Sequence, residues 1–171
     1  RMGHQRVGVA KAGGIVMSEM ISLYFPFPAV PKERPRAGKG GHFYTPKKTA
    51  QFERRVAEFF RNSRQKCLEE GCLSVSITFN LPHTKKVERE FSKRENAGVQ
   101  AIYRPVKPDL DNLTKSVLDA LNRLAWSDDS QIIYIQVMKF YNRLCPNGSI
   151  SITAFKREKI DPTELILEGE K

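Results

Sequence analysis

Leu73, Val75, Ile77 and Phe79 alternate with Ser74, Ser76 and Thr78. Successive side chains of a strand point to opposite faces, so this pattern commits the segment to a strand with one apolar and one polar face. Such a sheet needs a cover on its apolar side, and the flanking periodicities supply it. Phe52, Val56, Phe59, Phe60, Ser63 and Cys67 recur at helical spacing and leave Arg54, Arg55, Glu58 and Arg61 outward. That helix begins between Thr45 and Thr49, with Thr45 as cap and Pro46 in the first position, and Gly71 is its expected stop. A second helix, from about Pro108 to Leu124, sets Leu110, Leu113, Val117, Leu121 and Leu124 on one face. Ile21, Leu23, Phe25 and Phe27 mark an early strand that Pro26 confines to an edge or an end. Ser130 to Asn142 reads as a strand and Ile150, Ile152 and Ala154 as another, with Asn147-Gly148 as a hairpin signal between them. The expectation is one α+β domain, a small mixed β-sheet flanked by two main helices.

The chain of 171 residues is long enough for one core and too short for two. Residues 1–18 lack the apolar run of a secretory signal and read as an N-terminal extension or expression remnant, residues 19–156 as the domain, and residues 157–171 as a peripheral tail. Pro82 to Lys107 carries many charges without dependable periodicity and is expected to be a long, basic loop. No apolar run approaches the ~18 residues of a membrane span. Cys67, Cys72 and Cys145 form an odd set with no metal-ligand or disulfide spacing, which suggests reduced thiols in a cytosolic setting. With 29 Lys plus Arg against 19 Asp plus Glu, the net charge of +10 calls for an anionic partner.

Acid is concentrated in two places against that trend. Lys107-Pro-Asp-Leu-Asp-Asn-Leu-Thr-Lys115 and Ala125-Trp-Ser-Asp-Asp-Ser-Gln131 put Asp109, Asp111, Asp128 and Asp129 at the two ends of one predicted helix. Inside a regular helix Asp109 and Asp111 point about 200° apart. They converge only if Asp109 sits at or before the cap, which Pro108 favours. Taken alone, Asp109 reads equally as an ordinary N-cap, Asp111 as a first-turn acid favoured by the helix dipole, and Asp128-Asp129 as an exposed turn. Together they suit Mg2+ or Mn2+, which take oxygen ligands, position a phosphodiester and activate water. Lys115 follows Asp111 by one helical turn and reads either as a cation for developing phosphate charge or as half of a solvated ion pair. No phosphate loop, nucleophile elbow or HExxH motif competes.

Lys107-Pro-Asp-Leu-Asp-Asn-Leu-Thr-Lys-Ser-Val-Leu-Asp-Ala-Leu121 with Trp126-Ser-Asp-Asp-Ser-Gln-Ile132 resembles the RusA-type Holliday junction resolvases, small homodimeric Mg2+-dependent endonucleases of bacteria and phages. Weaker likeness extends to the opening strand, Pro31-Lys-Glu-Arg-Pro-Arg36, Tyr44-Thr-Pro46 and Thr49-Ala-Gln-Phe-Glu53. The resemblance implies metal-binding carboxylates at Asp109, Asp111 and Asp129, with Asp128 assisting or shaping the turn, and a catalytic lysine at Lys115. It implies four-way junction DNA as substrate, a homodimer without membrane or organic cofactor, and a cytoplasmic role in recombination and repair. Lys32, Arg34, Arg36, Lys47, Lys85, Lys86, Lys93, Arg94 and Lys107 are the expected phosphate contacts. The alternative is a non-cleaving basic nucleic-acid binder in which the acids only cap and cross-link the helix. A DxD phosphohydrolase is a poorer fit, because its acids want the end of an apolar strand and Ile102-Tyr-Arg-Pro-Val-Lys-Pro108 is not one.

Overall fold

The computed structural model describes residues 19–38 and 41–157, so the expected extension at 1–18 and the tail beyond residue 157 lie outside the described residues. In chain order the elements are β1 (Met20–Phe25), β2 (Arg36–Ala37), β3 (Phe43–Tyr44), α1 (Lys47–Asn62), β4 (Cys72–Asn80), α2 (Lys85–Lys93), β5 (Ala101–Ile102), α3 (Leu110–Leu121), β6 (Ile132–Asn142) and β7 (Ser149–Arg157). Five strands form one mixed sheet in the order β1-β7-β4-β6-β5, and β2 and β3 pair separately. This is the α+β architecture expected from the periodicities.

The alternation at Leu73–Phe79 sits on β4, the central strand. Its register aligns Leu23, Ile152, Ile77 and Val137 in one row across four strands. The first three of these are buried, as are Phe52, Val56 and Phe60 of α1 and Leu113, Val117 and Leu121 of α3. Helices α1 and α3 therefore pack on this face, where Phe59 lies 5.0 Å from the Phe25 ring. The opposite row, Ser22, Thr153, Ser76 and Gln136, is hydroxyl- and amide-bearing, with Ser22 and Gln136 exposed and Ser76 and Thr153 half-buried. The two faces differ in chemistry because the period of a strand is two.

Three expectations are corrected. The first helix ends at Asn62, well before Gly71, because the Ser63 hydroxyl donates to the Phe60 carbonyl at 2.7 Å and Arg64 turns left-handed at φ 59°. Ser63 and Cys67 thus matched the helical period by coincidence. Second, the segment from Pro82 to Lys107 is not a structureless loop: it holds α2, a 3-10 turn at Glu95–Ala97, and β5. Thr84 caps α2 by accepting from the Val87 amide, and Val87 and Phe91, one turn apart, are its only buried side chains. Two apolar positions among so many charges are too few for periodicity to register. Third, Asn147-Gly148 is not a hairpin turn, since β6 and β7 flank β4 on opposite sides. The chain crosses the end of β4 there, and a side chain at Gly148 would come within 2.9 Å of the Asn80 carbonyl oxygen and 3.1 Å of the Pro82 nitrogen. Close approach and a φ of +77° require glycine at this crossing.

Candidate active site

Helix α3 and the start of β6 build the site. Asp109 is the N-cap residue of α3, with extended backbone at φ −68° and ψ 143°, and its carboxylate makes no capping hydrogen bond. The geometric condition for Asp109 and Asp111 to escape opposite helix faces is therefore met, and Asp109 is not engaged as a side-chain cap. The segment leading into it is fixed by Lys139 of β6, whose ammonium donates to the Val106 and Pro108 carbonyls, both at 2.6 Å. On the other flank the Lys32 amide donates to the Asn112 carbonyl at 3.0 Å, and the Ser116 hydroxyl to the Val30 carbonyl at 2.6 Å. These ties hold the first turn of α3 between β6 and the loop after β1.

A cavity of about 490 Å³ opens beside this turn, lined by Leu110, Asp111, Thr114, Lys115, Leu118, Asp119, Asp129 and Val137. Asp111 and Asp129, separated in sequence by the whole of α3 and its following turn, thus meet at one cavity with Lys115. Asp109 stands two residues before Asp111 and is not among the lining residues. Among the described residues no three His, Cys, Asp or Glu side chains converge as the ligands of a preformed metal cage do. An open set of exposed carboxylates nevertheless fits Mg2+, which keeps several of its waters and binds through one or two carboxylates plus substrate phosphate.

The adjacent Asp128 and Asp129 have different work. Asp128 accepts from the Ser130 amide at 2.9 Å, and Gln131 completes a capping box by accepting from the Asp128 amide at 3.0 Å. The Ser130 hydrogen bonds hold the Asp128 carboxyl below the usual aspartate value. Gln131 in turn donates to the Leu68 and Gly71 carbonyls at 3.3 and 3.2 Å, anchoring the turn to the end of the α1–β4 connection. Asp128 shapes the turn, and Asp129 is left to line the cavity.

Lys115 is exposed, and no ion pair joins it to Asp111 or to Asp119 among the described residues. Its reading as one half of a helical ion pair is not supported by this geometry. Lys32, expected as a phosphate contact, is instead neutralised internally: its ammonium lies 2.5 Å from Glu53 of α1 and 2.9 Å from Asp119 of α3. Burial by itself lowers the Lys32 pKa, but the hydrogen bonds and charges of Glu53 and Asp119 outweigh it and hold the group above the usual lysine value. Arg34, Lys47, Lys85, Lys86, Lys93 and Lys107 are exposed. Arg36 is paired with Glu33 at 3.2 Å and Arg94 with Glu90 at 3.4 Å, so both share their charge with a neighbour. On α2, Lys85, Arg89 and Lys93 recur every fourth residue and line one shallow surface.

A model of the family described as Endodeoxyribonuclease RusA matches residues 26–153, three quarters of the chain and all of the site. The chain belongs to the RusA endodeoxyribonuclease family. A relative named uncharacterized protein YqaN, from Bacillus subtilis strain 168, is 35% identical over 101 residues, 59% of this chain and 71% of that protein. The family match makes this chain a member of a nuclease family and fits its basic surface around an acidic cavity.

Sequence reasoning did not single out Asp119, Gln131 or Lys139. Asp119 had a signal, since it follows Asp111 by eight residues and Lys115 by four and so shares their helix face. Gln131 had one too, three residues after Asp128 in the spacing of a capping box. Lys139 showed only as a charge interrupting an apolar strand, with no hint of the carbonyls it would bind.

Proposed function

We propose that this protein is a homodimeric, Mg2+-dependent endonuclease that resolves four-way DNA junctions by paired symmetric nicks in recombination and repair. The observation that carries the reading is that Asp111, Asp129 and Lys115 line one cavity, with no ion pair to Lys115 among the described residues. Asp111 and Asp129, with Asp109 beside them at the helix cap, are the residues that would hold the metal. A bound Mg2+ supplies an activated water and stabilises the leaving oxygen of an in-line displacement. Lys115 places a positive charge where negative charge accumulates on the attacked phosphate. Exposed cations on α2 and in the loop before α3 bind the DNA backbone, and they orient the duplex arms without reading their sequence.

The test is a labelled synthetic junction incubated with Mg2+ or with EDTA, beside linear duplex of the same sequence. The expected result is two symmetry-related nicks in the junction with Mg2+, none with EDTA, and none with Asp111→Asn although that variant still binds the junction. Unchanged nicking by Asp111→Asn, or binding with no metal-dependent nicks, overturns the proposal, and the second outcome favours the non-cleaving binder.

A further inference from the structure

The two-stranded hairpin β2–β3 holds aromatic rings out to water. Arg36 faces Tyr44 and Ala37 faces Phe43, and all four side chains are exposed. Phe43 is 76% exposed and Tyr44 51%. Adjacent residues of a strand point to opposite faces, so the two rings lie on opposite sides of the hairpin. Tyr44 has a neighbour in Gly38, where an added Cβ would lie 3.6 Å from its ring. Phe43 stands opposite only an alanine, and among the described residues it packs against no other ring and under no guanidinium. Single exposed apolar side chains are common on any surface. Two adjacent rings on a hairpin that is marginally stable by itself are a different case, because a bare ring adds nothing to its stability.

The surroundings say what those rings can bind. From Arg34 to Phe52 the chain carries five Lys or Arg and no Asp or Glu. Arg34, Lys47 and Lys48 are exposed. Rings set among cations, with no acid between them, suit nucleic acid: the cations take phosphate and the rings take base faces. The hairpin is also pinned to the site. The Lys32 amide donates to the Asn112 carbonyl of α3 at 3.0 Å, and the Glu33 amide to the Thr49 hydroxyl of α1 at 3.4 Å. Arg36 follows Lys32 by four residues, a reach of at most about 14 Å. Strand β2 therefore starts within about four nucleotide steps of the turn that carries Asp111.

We infer that Phe43 is a wedge that stacks on the bases at the branch point of a four-way junction and gives the site its preference for branched over linear DNA. Inside a linear duplex each base is covered on both faces by its neighbours, so no base face is open to a ring. Where strands exchange, that continuity is broken, and a phenyl ring enters between base pairs at a lower unstacking cost. The inference deepens the junction reading proposed above and rests on it. It assigns to the hairpin what the exposed cations cannot supply, because phosphate contacts position DNA without distinguishing a junction arm from a plain duplex.

The experiment measures binding of the full chain, in EDTA so that no strand is cut, to a synthetic four-way junction, to linear duplex and to single strand of the same sequence. Phe43→Ala and Phe43→Leu are each expected to weaken junction binding about 10-fold, the loss of one base–aromatic stack, with duplex affinity and Tm as in wild type. Phe43→Trp is expected to keep junction affinity, and its added indole fluorescence to be quenched by the junction and not by the duplex. Trp126, the one tryptophan of the natural chain, is buried and supplies a constant background. Unchanged junction affinity in Phe43→Ala, equal losses on junction and duplex, a loss confined to single strand, or an unquenched indole overturns the inference. In each of these cases metal-dependent nicking of the junction by wild type leaves the nuclease reading standing. A wild type that binds duplex as tightly as junction overturns the junction reading itself, and this inference with it.

Discussion

Replacing Lys32 by Met separates two roles that its sequence context does not distinguish. If Lys32 contacts phosphate, the change weakens DNA binding and leaves folding alone. The geometry argues the reverse, since the ammonium bridges Glu53 of α1 and Asp119 of α3 at 2.5 and 2.9 Å, with 22% of the lysine side chain exposed. A hydrogen bond to a charged group contributes about 1.5–3 kcal/mol net. Discounted for partial solvent screening, the two bonds together are worth about 2–3 kcal/mol. The Met variant also leaves two carboxylates facing each other without their cation. In a domain of this size the loss lowers Tm by about 5–10 °C. The assay is a thermal melt of wild type, Lys32→Met, and Lys32→Met with Asp119→Asn, paired with junction binding in EDTA across a salt series. The expected outcome is a lowered Tm, partial recovery in the double variant, and an unchanged salt slope. An unchanged Tm with a salt slope smaller by about 0.9 refutes the argument, because that is the signature of one lost phosphate contact.

The same bridge gives an alkaline dependence. The folded pKa of Lys32 is raised, so its contribution is fully present below the ordinary lysine value and is lost as pH rises through the folded pKa. Wild type is therefore expected to lose more stability than Lys32→Met between about pH 10 and 12, measured by urea unfolding. Trp126 is fully buried, its indole N–H has no hydrogen-bond partner among the described residues, and Leu68 pairs beside it. Trp126→Ala should cost about 3–5 kcal/mol in urea unfolding, and a loss below about 1 kcal/mol contradicts the packing described. Lys85→Ala and Lys93→Ala, on the exposed face of α2, should each reduce the salt slope of junction binding by about 0.9 while leaving Tm unchanged. Slopes equal to that of wild type would remove α2 from the DNA surface.

The sequence by itself determined the alternation of β4, the apolar faces of α1 and α3, and the residues of the acid cluster. Each of these depends on neighbours within a few positions, through the strand period of two and the helical period of 3.6. It also carried the motif from Lys107 to Ile132 by which the chain resembles its family, and that resemblance is what offers Asp109, Asp111, Lys115 and Asp129 as candidates. Local pattern could not place α2, because two buried side chains anchor a helix whose other residues are polar. Nor could it tell that β6 and β7 lie apart, since Asn-Gly suits a hairpin and a crossing equally well. Tertiary structure decided the rest of the site. Asp111 and Asp129 meet because β6 returns beside α3, Asp128 is diverted into a turn by Gln131, and Lys32 is withdrawn from solvent by two carboxylates on different helices. The Asp128–Gln131 turn is local, but the shared cavity of Asp111 and Asp129 and the bridge of Lys32 to Glu53 and Asp119 join residues remote in sequence, which only the packing of the sheet against its helices brings together.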